Sequence, residues 1–285
     1  MGADATPEAA SPRAITIRLN RLEHEVKAGG LTAAQIAERL VAVGRECGSD
    51  ATRLPLAQWI PKVGAAAPAG AWEAEDGVRQ REAIRDLCVE VGTAAGRDDV
   101  REAVVAALMW AVGAALPATV PVRDVLVAIG RAAENDVVME AVLAATRAMA
   151  ERPQGAEVMA VEAVRDLWCA ILRAAGFDGA RLAAVETIRW AAALADERWQ
   201  AVMASAAVRD CLCAVLRGAG PNAPRLAALE TIRWAAARPD ERWQELMTSE
   251  ATRDALVEMG TTAADDKVRT RVADAIAAIA AAPLG

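Results

Sequence analysis

The 285-residue chain has no tyrosine, one phenylalanine (Phe177) and one histidine (His24). Few stretches alternate β-branched or aromatic residues with polar ones, so strands are not expected. A single histidine excludes motifs that need two, such as HExxH. His24 sits between Glu23 and Glu25 on a predicted helix, with no nucleophile to pair with. No lysine follows a glycine, which excludes a GxxxxGK[ST] phosphate loop. There is no CxxC pair. The five cysteines (Cys47, Cys88, Cys169, Cys211, Cys213) are scattered and odd in number, as expected of reduced thiols in a cytoplasmic protein. Cys211 and Cys213, two apart on a helix, face different directions and make a poor metal pair. No metal, cofactor or catalytic residue is expected.

Positive charge is scarce as lysine: only Lys27, Lys62 and Lys267 occur, and the rest is arginine. With a net charge of −7, attraction to a nucleic-acid backbone is not expected. The N-terminus, with Asp4 and Glu8, lacks the basic character of a transit peptide. Ala103 to Val122 is uncharged and of membrane length. Pro117 and Pro121 interrupt it, so it reads as a helix and a connection, and no membrane partner is expected.

What is abundant is alanine, within a hydrophobic content of 54%, and tryptophan, with eight copies. Alanine favours helix and lets helices approach closely. The fold class is read as all-α.

Self-similarity organises most of the chain. Arg181-Leu-Ala-Ala-Val-Glu-Thr-Ile-Arg-Trp190 returns 44 residues later as Arg225-Leu-Ala-Ala-Leu-Glu-Thr-Ile-Arg-Trp234. Asp196 to Gln200 returns as Asp240 to Gln244. The dipeptide Arg-Asp recurs at Arg85, Arg123, Arg165, Arg209 and Arg253. Thirteen residues beyond each lie Asp98, Asp136, Asp178, Asn222 and Asp266, read as helix N-caps. Gly96, Gly176 and Gly220 precede three of them and suit helix ends. Apolar positions follow at Val105, Leu143, Val185, Leu229 and Ala273, then at Leu108, Thr146, Ile188, Ile232 and Ile276. One repeat reads as a helix near Arg-Asp (Ala207 to Leu216), a turn, and a longer helix (Ala223 to Ala237). A short helix from Asp240 follows. The second repeat, with Pro117 and Pro121 before Arg123, has room for two helices only.

A unit of 42–44 residues with one short and two longer helices resembles the armadillo repeat. The likeness is carried by Asp240 to Val257 for the first two helices and Arg225 to Ala237 for the third, and spans 72–282. It implies a right-handed α-solenoid superhelix of about five armadillo/HEAT-like repeats, the whole of 72–285, with an N-terminal helical cap. It also implies a non-catalytic scaffold or adaptor whose third helices line a concave face and hold a protein segment. Here the face would comprise Trp110, Glu186, Arg189, Trp190, Glu230, Arg233, Trp234 and Asp274. Ala148 and Ala278 replace tryptophan in the other repeats. Trp190 and Trp234 stand where the family keeps asparagine, and Glu186 and Glu230 where it keeps tryptophan, so the backbone-gripping asparagine ladder is absent. A Trp/Glu/Arg surface suits a partner bearing basic residues. Alternatively these tryptophans fill alanine-rich gaps between repeats. Trp199 and Trp243, on the short helix, are read as packing. A structural subunit of a larger assembly is the second functional reading, and a HEAT-like enzyme or nucleic-acid-binding protein the third.

Residues 1–13 are read as disordered and 14–71 as two helices plus an irregular segment at 48–71 holding Pro55, Pro61 and Pro68. Ile15, Leu19, Leu22 and Val26 mark one helix. Thr32 and Gln35 form a capping box for the next, with Ile36, Leu40 and Val43 apolar. These helices cover the end of the repeats or serve self-association.

Overall fold

Apolar residues at helical spacing, poor strand formers and regular turn signals leave one way to bury this much alanine, which is helix against helix. A computed structural model of the chain describes residues 10–67, 70–73, 75–113, 116–152, 154–218, 222–238 and 240–280. Among them are sixteen helices and no strand. They fall into two compact units, Met1–Glu134 with Glu151–Gly155, and Asn135–Ala150 with Ala156–Gly285.

The first unit holds α1 (Pro12–Lys27), α2 (Ala33–Gly44), α3 (Asp50–Ala66), α4 (Glu75–Thr93), α5 (Asp98–Val112) and α6 (Val120–Ala132). Helix α3 packs between α1 and α5, and α4 between α2 and α6. Ser11 caps α1, and the Thr32/Gln35 capping box starts α2. Ile15, Leu19, Leu22 and Val26 are buried, as are Ile36, Leu40 and Val43. Residues 1–9 lie outside the described residues, and from Pro12 the chain is helical, not disordered.

The segment expected to be irregular is helix α3, with Pro55 and Pro61 inside it. Each proline forgoes one intrahelical bond. Leu56, Ala57, Ile60, Val63 and Gly64 recur at helical spacing and are all buried, and this burial against α1 and α5 outweighs the lost bonds. Pro68 lies outside the described residues. The uncharged stretch from Ala103 to Val122 divides into the end of α5, a connection and the start of α6. Among the described residues no single helix is long and apolar enough to cross a membrane; the bent pair Glu197–Met203 and Ala206–Arg217 passes on length and composition only.

The second unit holds α7 (Asp136–Ala150), α8 (Gly155–Met159, all but its first residue), α9 (Glu162–Ala174), α10 (Asp178–Ala193), α11 (Glu197–Met203), α12 (Ala206–Arg217), α13 (Asn222–Ala236), α14 (Glu241–Met247), α15 (Glu250–Thr262) and α16 (Asp266–Ala280). Helices α7, α10, α13 and α16 pack in succession, as do α9, α12 and α15. The short helices α11 and α14 follow α10 and α13 and pack against them. Trp168, Trp199 and Trp243 are fully buried. The packing role expected of Trp199 and Trp243 is what the structure gives them.

The residues read as N-caps do something else. Asp98, Asp136, Asp178, Asn222 and Asp266 are each the first helical residue. Asp50, at the start of α3, accepts from the Gly96 N–H at 2.9 Å. Asp98 accepts from the Glu134 N–H at 2.9 Å. Asp136 accepts from Gly176 at 3.0 Å and from Phe177 at 2.9 Å. These carboxylates therefore tie one repeat to the turn of the next. Arg53 and Arg101, three residues after Asp50 and Asp98, donate to the Ala94 and Ala132 carbonyls, each at 2.8 Å, and complete the staple. On α7 and α16 capping falls to the preceding residue: Asn135 accepts from the Val137 N–H and Asp265 from Lys267, both at 2.8 Å. Gly220 lies outside the described residues.

On α16 the buried positions are Val268, Val272, Ala275 and Ile279, while Ala273 is exposed and Ile276 half-buried. The buried stripe of α16 is thus narrower than that of α13: it keeps the positions matching Pro224, Ala228, Thr231 and Ala235, which pack against α13 and α15, and not those matching Leu229, Ile232 and Ala236.

Candidate functional site

The equivalent helices α10 and α13 lie against each other and bury Val185, Ile188, Ala191 and Ala192 on one and Leu229, Ile232, Ala235 and Ala236 on the other. That burial turns Glu186, Arg189 and Arg233 to solvent and leaves Glu230 half-buried. Glu230 and Arg233, three residues apart, form an ion pair at 2.6 Å. Asp274 is exposed on α16, which packs beside α13.

Trp190 is half-buried. Its ring meets the edge of Trp199 at 6.2 Å and 64°, and Trp199 stacks on Trp168 at 5.4 Å and 7°. The Trp168 indole donates to Thr146 Oγ1 at 2.9 Å. From α7, the Arg147 guanidinium lies 5.0 Å over the Trp190 ring. Trp234 is also half-buried, with the Arg238 guanidinium 4.8 Å over its ring. Arg238 is held there by donating to the Ala192 carbonyl, at 2.6 Å, where α10 ends.

Trp110 belongs to the first unit and has the same kind of surroundings. It is half-buried, meets Trp72 edge-on at 5.4 Å and 89°, and carries the Arg81 guanidinium at 5.5 Å. It lies directly on Gly64, where an added Cβ would be 1.8 Å from the Trp110 ring. Gly113, with φ +47°, closes α5 and leaves room for Arg81.

Each of the three matching tryptophans therefore uses one ring face on a guanidinium of its own chain. The sequence reading missed Arg81, Arg147 and Arg238. Only Arg238 had a readable signal, four residues after Trp234, at the spacing of one helical turn. A partner cation has the carboxylates of Glu186 and Asp274 to meet, and on the rings only what their own arginines leave open.

Burial pushes the Cys88 and Cys213 thiols up, and takes Cys47 up to about 11. Such thiols are poor nucleophiles at neutral pH. Among the described residues no group of three His, Cys, Asp or Glu side chains could hold a metal ion. His24 is exposed on α1. A shallow groove of about 250 Å³ between α1 and α2 has Arg18, Arg21 and Arg39 at its rim and Leu22 and Val43 on its floor.

No family model matches the chain, and no curated protein does. Among solved structures, a chain described as "Computational Design of Self-Assembling Cyclic Protein Homooligomers" is similar at 12% identity, over 94% of this chain and 90% of that one. Its TM-score is 0.18, too low to carry an argument about fold or function.

Proposed function

We propose that this chain is a non-catalytic scaffold or adaptor of the armadillo/HEAT kind, a right-handed solenoid that holds a segment of a partner protein. The supporting observation is the recurrence on α10 and α13 of a half-buried tryptophan beside outward Glu and Arg side chains. A side-chain set repeated on adjacent helices suits a ligand that is itself extended, whereas a reaction centre is needed once. Half-buried aromatics and arginines are the groups that dominate interface energetics. The segment held is a basic one, meeting Glu186 and Asp274. Five free thiols support placement in the cytoplasm.

The test is binding of the purified chain to an array of extended peptides, Lys/Arg-rich against Asp/Glu-rich. Retention on the basic set, lost in Glu186→Lys/Asp274→Lys and weakened in Trp190→Ala/Trp234→Ala, is expected. Equal binding to both sets, or retention unchanged by charge reversal, overturns the reading.

A second reading, a structural subunit of a larger assembly, is favoured by one feature. Phe177, the chain's single phenylalanine, is 76% exposed, and Val137 is 51% exposed. Asp136, next to Val137, holds the Phe177 N–H, so the two apolar side chains stand on one edge of the second unit. Phe177→Ser would release the chain from such an assembly and leave peptide capture unchanged.

A further inference from the structure

Cys169 stands on α9 and Cys211 on α12, equivalent helices of consecutive repeats that pack together. The Cys169 Sγ lies 3.8 Å from the carbonyl oxygen of Ala207. Ala207 is one helical turn before Cys211, so the sulfur sits against the face of α12 that carries Cys211. A helical side chain leans back over the turn before it, so the Cys211 thiol lies over Ala207 and faces Cys169 across this interface. Both residues are buried, with 0% and 2% exposure, and both thiols are free. Cys213, two residues on, is turned away: its sulfur faces Thr252 Oγ1 at 3.9 Å.

We propose that Cys169 and Cys211 are a modification site, a thiol pair that a hydroperoxide oxidises to a disulfide joining α9 to α12. A small neutral oxidant suits two buried sulfurs, where a bulky disulfide reagent does not fit. Cys169 is the attacking sulfur. The Cys211 thiol facing it holds Cys169 below the usual cysteine range, outweighing burial, and the Arg173 guanidinium adds to the effect. Arg173 is kept beside it by donating to the Cys169 carbonyl at 3.0 Å. Arg165 acts in the same direction and Asp166 against it.

The Cys169 thiolate attacks one oxygen of hydrogen peroxide. The O–O bond breaks, and the departing hydroxide takes up the proton that Cys169 released, leaving as water. Cys169 is then a sulfenic acid, oxidised by two electrons. The Cys211 sulfur attacks the Cys169 sulfur, the S–O bond breaks, and the hydroxyl leaves with the Cys211 proton as a second water. Two thiols and one peroxide become one disulfide and two waters.

The experiment treats the full native chain with hydrogen peroxide, quenches, alkylates in denaturant and maps unreduced peptides by mass spectrometry. A peptide cross-linked through Cys169 and Cys211, the loss of two of the five alkylatable thiols and their recovery with dithiothreitol are expected. In Cys211→Ser, Cys169 proceeds to the sulfinic acid instead. In Cys169→Ser, Cys211 stays a thiol. The wild-type map needs no variant to fold. If Cys169 and Cys211 both alkylate fully after the half-buried Cys47 has been oxidised, or if their cross-link forms only in urea, the proposal fails.

Discussion

The Trp243 indole N–H donates to Gln200 Oε1 at 2.9 Å, with both residues buried. The Gln200 amide in turn donates to the Ala192 and Leu194 carbonyls, so one side chain closes the end of α10 and anchors the next repeat's tryptophan. One repeat earlier, Trp199 has Ala156 at the position corresponding to Gln200, and its buried Nε1 finds no acceptor among the described residues.

Restoring the acceptor should therefore stabilise the chain. Ala156→Gln is expected to add about 1 kcal/mol, the net value of one buried hydrogen bond. Gln200→Ala should cost about 2–3 kcal/mol, because it orphans the Trp243 N–H and the Leu194 carbonyl, while the Ala192 carbonyl keeps Arg238. Urea unfolding of the two variants reads both effects; an Ala156→Gln variant less stable than wild type would refute the equivalence.

Gly64 is required by Trp110, not by a turn. Gly64→Ala places a methyl group inside the indole ring's volume, which must shift from Trp72 and Arg81 together. A loss of about 1–3 kcal/mol is expected from overpacking, against the gain that Gly→Ala brings in an open helix. Thermal melts decide the sign.

Asp136 acts between repeats and Asn135 within one. Asp136→Ala should cost about 1–3 kcal/mol, since it leaves the Gly176 and Phe177 N–H groups without their carboxylate. Asn135→Ala loses an ordinary cap and should cost about 1 kcal/mol. Hydrogen exchange separates the two: only the first should speed exchange at Gly176 and Phe177.

Asp240 offers a pH-dependent test. It caps α14 by accepting from the Arg242 N–H at 3.0 Å, and its carboxylate pairs with the Arg242 side chain at 3.2 Å. The hydrogen bond from the Arg242 side chain is the main cause of its lowered pKa; burial opposes it, and the Arg242 backbone N–H assists. The folded state thus binds this proton less readily than the unfolded chain. The stabilisation is complete above the ordinary aspartate pKa of about 4 and is lost as pH falls through the lower folded value. Asp240→Asn keeps the cap and removes the titration. Wild type should exceed it by a few tenths of a kcal/mol, roughly, at neutral pH, because solvent screens so exposed a pair. The difference should shrink as pH falls below the ordinary aspartate range; a gap that widens on acidification would contradict the assignment.

Much of the second unit was legible because two segments recur almost unchanged 44 residues apart: that period placed α12, α13 and the start of α14 close to their observed bounds. Four of the five Arg-Asp markers proved to be neighbouring ion pairs, such as Arg165 with Asp166 at 2.7 Å. Helix α3 was not legible, since Pro55 and Pro61 signal a break locally and only α1 and α5 supply the burial that overrides them. At the candidate site, the outward direction of Glu186 and Arg189 could be read from helical phase. The guanidinium over Trp110 and over Trp190 could not, because Arg81 and Arg147 come from other helices.

By itself the sequence determined that the chain is helical and repetitive, because propensity and apolar spacing act over a few residues and need no partner. The tertiary structure alone decided what the recurring aspartates hold, which faces Trp110 and Trp190 keep, and that Cys169 lies against the helix of Cys211. Those are relations between residues far apart in the chain, made by packing one helix on another.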